Sequence, residues 1–144
     1  PSVVPNNIFP LINLVAIGKI KNINIFGNDW PTKDGTGVRD YIHVMDLAYG
    51  HLKALEFLGT KSSTFQKINL GSGVGSSVLE LINVFQAVNE LRIPYTFVDR
   101  RLGDPGYLVA DISLASQILN WKPKFSIEDM CKNGWDWDLY RYSK

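Results

Sequence analysis

RDYIHVMDLAYGHLKALEFLG, residues 39–59, changes its hydrophobic period in mid-stretch. Its first part, RDYIHV, carries the apolar run Tyr41-Ile42-His43-Val44 and reads as a strand, entered from the glycine-rich loop DGTG at 34–37. From Asp46 onward the spacing is helical: Leu47, His51, Ala54, Leu55 and Leu58 share one face, with Asp46 as the expected N-cap and Gly59 as the stop. A strand that runs directly into a helix is the unit of an α/β layer fold, provided that the alternation continues on both sides.

It does continue. Upstream, PNNIFPLINLVAIGKI places Ile8, Leu11, Ile12, Val15 and Ala16 at helical spacing, with Asn6 or Asn7 as N-cap and Gly18 near the end. INIF at 23–26 is a short strand closed by Gly27-Asn28-Asp29. Downstream, FQKINLG reads as a third strand, and SSVLELINVFQAVNEL as a helix opened by the capping box Ser77-x-x-Glu80. PYTFVDR is a further strand. DISLASQILNW is a short helix expected to turn Leu114, Ile118 and Leu119 inward. A second capping box, Ser126-x-x-Asp129, opens the last helix. Alternating strands and helices make the chain α/β, with no repeats and no linker.

The 144 residues suffice for one domain, and 45% hydrophobic content is that of a packed core. A net charge of +1 gives no general attraction to nucleic acid or to acidic membranes, so any anion must be held by a few placed cations. The single Cys131 excludes an internal disulfide framework and fits a reducing compartment. No apolar run approaches the roughly 20 residues of a membrane helix, and a cytoplasmic location is the expectation. The opening PSVVPNN lacks an initiator Met and reads as a loop already under way, so the chain is expected to be a piece of a longer protein.

Most groups that invite chemistry have simpler readings. GSGVGS at 71–76 imitates a dinucleotide loop, but serine stands where the third glycine belongs; a tight turn whose serines cap the next helix accounts for it. His43 and His51 have no ligand partners at metal spacing. Cys131, beside Met130 in mid-helix, reads as a buried structural thiol, and Trp135, Trp137, Tyr140 and Tyr142 as packing of the last helix. The arginines remain. Arg39 follows the glycine-rich loop, and Arg100-Arg101 end the strand YTFVD. Guanidinium forks grip phosphate oxygens in pairs, and two could hold a pyrophosphate, with Asp104 placed for a sugar hydroxyl. Equally, these residues could pair with one another on a solvated surface, and spacing does not choose.

IFGNDWPTKDGTGVRDYIHVMDLAYGH closely resembles the signature of the UDP-glucose 4-epimerases of the extended short-chain dehydrogenase/reductase superfamily. The likeness runs on through PNNIFP, INLGSGVGSSVLELI, RRLGDPGYLVADISLA and LNWKPKFSIEDM, and so covers essentially the whole chain. It implies the C-terminal substrate-binding lobe of a Rossmann-type fold, together with strand and helix elements that complete an N-terminal sheet. In that family Arg39 and Arg101 match the arginines on the UDP pyrophosphate, and Asn7 and Ile8 the segment reaching the diphosphate. Asn24, Ile25 and Phe26 match the strand whose backbone reads uracil, and Asp104 the carboxylate on the ribose. Departures lie at Gly106 and Tyr107, where members often carry Val or Ala, and at Leu108, where some carry Tyr.

The resemblance also implies what residues 1–144 lack. The family's glycine-rich cofactor loop and its catalytic Tyr-x-x-x-Lys pair belong to the N-terminal half. Here Tyr49 and Tyr140 each have a lysine four residues on, Lys53 and the terminal Lys144, and no role is assigned to either. The implied parent interconverts UDP-glucose and UDP-galactose through a 4-keto sugar, using NAD bound by the other half, and is expected to be a homodimer. The expectation for this chain is a UDP-sugar-binding part, inactive alone, with no catalytic, cofactor or metal residues of its own. Alternatives are another nucleotide-sugar enzyme, such as a UDP-glucuronate 4-epimerase or a dehydratase, and a stand-alone UDP-binding module.

Overall fold

A computed structural model describes residues 5–61 and 63–143. The order is α1 (Ile8–Ala16), β1 (Ile23–Phe26), β2 (Val38–Asp40), α2 (Val44–Gly59), β3 (Gly75–Ser77), α3 (Val78–Asn89), β4 (Tyr95–Val98), β5 (Tyr107–Leu108), α4 (Ser113–Leu119) and α5 (Ile127–Tyr142). The fold is α/β, as the alternation implied. Its strands form two small sheets: β1 pairs in parallel with β4, while β2 is central to a second sheet, antiparallel to β3 and parallel to β5.

Local chemistry explains the well-formed elements. Both capping boxes are complete: Ser77 accepts from the Glu80 N–H while Glu80 accepts from the Ser77 N–H, and Ser126 and Asp129 do the same at the start of α5. Apolar spacing on α1, α3 and α5 then buries Ile12, Val15, Leu81, Ile82, Phe85, Cys131 and Trp135 against Ile23 and Ile25 of β1. Phe85 is central, meeting Phe9 and Trp135 edge-on at 6.4 and 6.0 Å. Burial pushes the Cys131 thiol up to about 12, helped by nearby Glu128, which fits a structural thiol. Of the other three aromatics expected to pack the last helix, Trp137, Tyr140 and Tyr142 are all exposed.

Four expectations need correction. RDYIHV is a strand only at Arg39 and Asp40, because pairing runs out there: Leu108, the last residue of β5, lies opposite Arg39, and Gly75, the first of β3, opposite Asp40. Asp46 is not the N-cap of α2; His43 is, its Nδ1 accepting the Met45 N–H at 3.1 Å while its ring stacks on Phe125 at 4.3 Å. Asp46 is instead buried in the first turn. Its carboxylate accepts the backbone N–H groups of Lys124 and Phe125, both at 3.0 Å, and its carbonyl accepts the Trp121 indole N–H, which fastens α2 to the segment before α5. FQKINLG forms no strand, since no neighbour among the described residues offers its backbone a ladder; Ile68 and Leu70 lie half-buried against Ala115, Leu119 and Trp121. On α4 Leu119 is buried and Ile118 half-buried as expected, but the other inward position belongs to Ala115, with Leu114 outside.

Candidate functional site

A cavity of about 280 Å³ opens between the start of α1, the length of β1, β2 and the loop after β4. All eight residues singled out in the sequence line it: Asn7 and Ile8, Asn24, Ile25 and Phe26, Arg39, Arg101 and Asp104. They come from four separate segments, so no stretch of sequence contains the site.

Each segment is held for a local reason. Asn7 occupies the N-cap position of α1 with extended backbone, yet its side chain makes no capping bond and belongs to the cavity wall. In β1, the N–H groups of Ile23 and Gly27 go to Pro94 and Val98 on the β4 side. Strand alternation therefore turns the backbone groups of Asn24 and Phe26 to the opposite edge, which pairs with no strand among the described residues. An open edge of this kind can hydrogen-bond a flat heterocycle as it would a neighbouring strand.

The DGTG loop is built as a knot on the start of α3. Asp34 accepts from the Thr36 N–H at 2.9 Å, the Thr36 hydroxyl at 2.7 Å and the Ser77 hydroxyl, and the Gly37 carbonyl accepts the Val78 N–H at 3.0 Å. Burial works to raise the Asp34 carboxyl, but the Ser77 and Thr36 bonds outweigh it and hold it below its ordinary value. Gly35 has a φ of +80°, and a side chain there would overlap the Asn28 carbonyl, so its glycine serves the turn. Gly37 serves Arg39: a Cβ at 37 would lie 3.2 Å from the guanidinium. Packed against that bare backbone, Arg39 donates one N–H to the Val38 carbonyl at 2.8 Å and keeps the rest of its fork for the cavity.

Arg101 lies over the Phe26 ring, 3.7 Å from its centroid. Neither Arg39 nor Arg101 forms an ion pair among the described residues. Arg100 is different. It pairs with Asp29 at 2.7 Å on the outer surface, stacks on Trp30 at 3.9 Å, and does not line the cavity. The two readings of the arginines are thus divided between neighbours: Arg100 is the surface pair, and Arg39 and Arg101 converge on one space.

Sequence reasoning missed three residues of this region. Trp30 lines the cavity, and no pattern marks an aromatic in a loop. Tyr41 lines it as well; its hydroxyl is buried with no partner among the described residues, and burial pushes the phenol up to about 12 against the opposing pull of Arg39. Asp40, adjacent to Arg39, ties the glycine-rich loop to the sheet. Its carboxylate accepts the N–H groups of Ser72 (2.6 Å), Gly73 (3.0 Å) and Ala110 (3.2 Å). That bonding decides the GSGVGS loop. The amides of Ser72 and Gly73 are spent on Asp40, that of Val74 on the Ser72 hydroxyl, and the last residues of the loop form β3 and cap α3, so this chain's own glycine loop does not fit a dinucleotide pyrophosphate. Asn7, Ile8 and Tyr41 also border a second, mostly apolar groove of about 550 Å³ that continues from the cavity past Phe9, Met130 and Trp137.

The family model for GDP-mannose 4,6 dehydratase matches residues 1–134. UDP-glucose 4-epimerase of Bacillus subtilis (strain 168) is 49% identical over 137 residues, which is 95% of this chain and 40% of that protein. Among solved structures, a UDP-glucose 4-epimerase from Stenotrophomonas maltophila with bound NAD and formylated UDP-arabinopyranose superposes with a TM-score of 0.94 at 44% identity. It covers 99% of this chain and 42% of its own. The Bifidobacterium longum enzyme in complex with NAD+ and UDP does so with a TM-score of 0.92 at 39% identity, again over 99% and 42%. The chain thus spans about two-fifths of the length of these relatives. It belongs to the GDP-mannose 4,6 dehydratase family, and within that family it is similar to the UDP-glucose 4-epimerases.

Proposed function

We propose that this chain is the UDP-sugar-binding portion of a UDP-glucose 4-epimerase, the enzyme that interconverts UDP-glucose and UDP-galactose. The observation that carries the reading is the convergence of Arg39 and Arg101, from different segments, on a cavity that also holds Asp104 and the open edge of β1. In this reading the base lies along β1, Asp104 takes the ribose, and the two guanidinium groups take the diphosphate, assisted by Asn7 and the first amides of α1.

The division of binding strength suits the reaction. A 4-epimerase must present both faces of one hexose carbon, so the nucleotide needs a firm hold and the sugar a loose one. The nucleotide cavity carries Arg39, Arg101 and Asp104, while the adjoining groove, which Asp40 also borders, offers mainly Phe9, Pro10, Ile42, Val44, Met130 and Trp137. The related structures hold NAD; the residues present here do not form its site, and we place that site and the catalytic pair in the remainder of a longer protein. Two features support such a remainder. The 65–70 segment, strand-like in composition, forms no strand among the described residues, and Val44, Met45, Leu52, Leu55, Leu58 and Phe65 are exposed large apolar side chains. We place the whole protein in the cytoplasm, as a homodimer.

The test is a substrate panel on the full-length protein. Interconversion of UDP-glucose and UDP-galactose, with no turnover by residues 1–144 alone, is the expected result. Preference for UDP-glucuronate would move the parent to a neighbouring activity, and turnover by the isolated chain would overturn the division of labour.

A further inference from the structure

We propose that Trp30 restricts this cavity to single-ring, pyrimidine nucleotides. The inference rests on the nucleotide reading above and assigns a residue to its base selectivity.

Trp30 borders the cavity beside the end of β1, facing the loop that carries Arg101 and Asp104. It is wedged between two glycines. A methyl at Gly27 would lie 2.6 Å from the indole nitrogen, and a methyl at Gly106 would lie 2.7 Å from ring carbon Cε3. Both neighbours therefore bring bare backbone against the half-buried ring, Gly27 at its pyrrole end and Gly106 at its benzo end, and hold it at those two places. The Arg100 guanidinium lies 3.9 Å from the ring centroid and is itself held by Asp29 at 2.7 Å. The indole N–H donates to the Phe26 carbonyl at 3.3 Å, which fixes the rotation of the ring and occupies an acceptor on the open edge of β1.

A ring immobilised in this way sets the depth of the base end. The whole cavity, at about 280 Å³, lies at the lower limit for ligand sites. A purine base adds a second fused ring to the same glycosidic position, and in this reading that ring is directed along β1 toward the indole that lines the cavity beside Phe26. Discrimination then comes from a clash that the wall cannot relax, the form of selectivity that excludes a competitor without strengthening the bond to the preferred ligand. The match to a family model for a GDP-sugar enzyme makes base size the natural point of divergence.

The experiment is calorimetry on the full-length protein with UDP and GDP, for the wild type, Trp30→Ala and Trp30→Tyr. The wild type is expected to favour UDP by roughly a hundredfold, and Trp30→Ala to reduce that ratio by at least about tenfold through improved GDP binding. Trp30→Tyr, which keeps an aromatic wall and so guards against failure of the Ala variant to fold, should reduce the ratio by a smaller factor. An unchanged ratio in either variant that still binds UDP overturns the proposal, as does a wild type that binds UDP and GDP equally. A wild type that binds neither UDP nor UMP overturns the nucleotide reading itself.

Discussion

Removing the Arg39 guanidinium should cost affinity for the diphosphate and almost nothing else. Among the described residues the side chain makes one hydrogen bond, to the carbonyl of half-buried Val38, so its loss should lower stability by at most about 1 kcal/mol. The backbone of Arg39 continues to pair with Ser76 and Leu108 whatever the side chain, and β2 stays in place. A charge-assisted bond to a phosphate is worth about 2 kcal/mol, which corresponds to roughly a thirtyfold rise in Kd for UDP on Arg39→Ala. Calorimetry of the full-length variant with UDP, UMP and uridine reads this directly. The loss should be full for UDP, smaller for UMP and absent for uridine, and it should shrink as salt is added. A UDP affinity within about twofold of wild type would refute the reasoning. So would an equal loss for uridine, which would mean that the substitution had damaged the base end.

Three further outcomes follow from other parts of the molecule. Asp34 is held below its ordinary carboxylate value in the folded chain, so its contribution to stability is complete above the unfolded value of 3.8 and is lost as pH falls through the lower folded one; Asp34→Asn should flatten the acid limb of a stability–pH curve below about pH 4, and an unchanged limb would count against the knot it ties with Thr36 and Ser77. Glu90 ends α3 in the left-handed region at φ 54°, a conformation that costs a residue with a side chain about 1–2 kcal/mol. Glu90→Gly should accordingly raise the denaturation midpoint, and a lower midpoint would show the side chain to be stabilising. Cys131, buried and held protonated, should resist a thiol-reactive disulfide at neutral pH until the chain is unfolded; fast labelling of the native chain would contradict its placement.

What could be read from the sequence was set by how local its cause is. The Ser77 and Ser126 capping boxes lie within four consecutive residues, and both formed. His43 as a cap was not legible, because imidazole is an uncommon N-cap and Asp46 nearby is a common one. What Asp46 does instead depends on residues nearly eighty positions later. FQKINLG has the composition of a strand, but a strand exists only with a partner, and the chain supplies none among its described residues. Adjacent Arg100 and Arg101 looked alike in sequence. In the structure they part, one meeting Asp29 on the surface and the other meeting Phe26 in the cavity, a difference that depends on partners some seventy residues away. Spacing left the arginines undecided, and the family likeness grouped the eight site residues; Trp30 had neither signal. The pairing of Tyr140 with Lys144 lies partly outside the described residues, since Lys144 is not among them.

The account stands most directly on where a nucleoside diphosphate binds. A crystal structure of the full-length protein with UDP should show the guanidinium groups of Arg39 and Arg101 both about 3 Å from diphosphate oxygens, the uracil along the open edge of β1, and the ribose at Asp104. A diphosphate touched by only one of these arginines, or a nucleotide seated at the 71–76 loop, would contradict it.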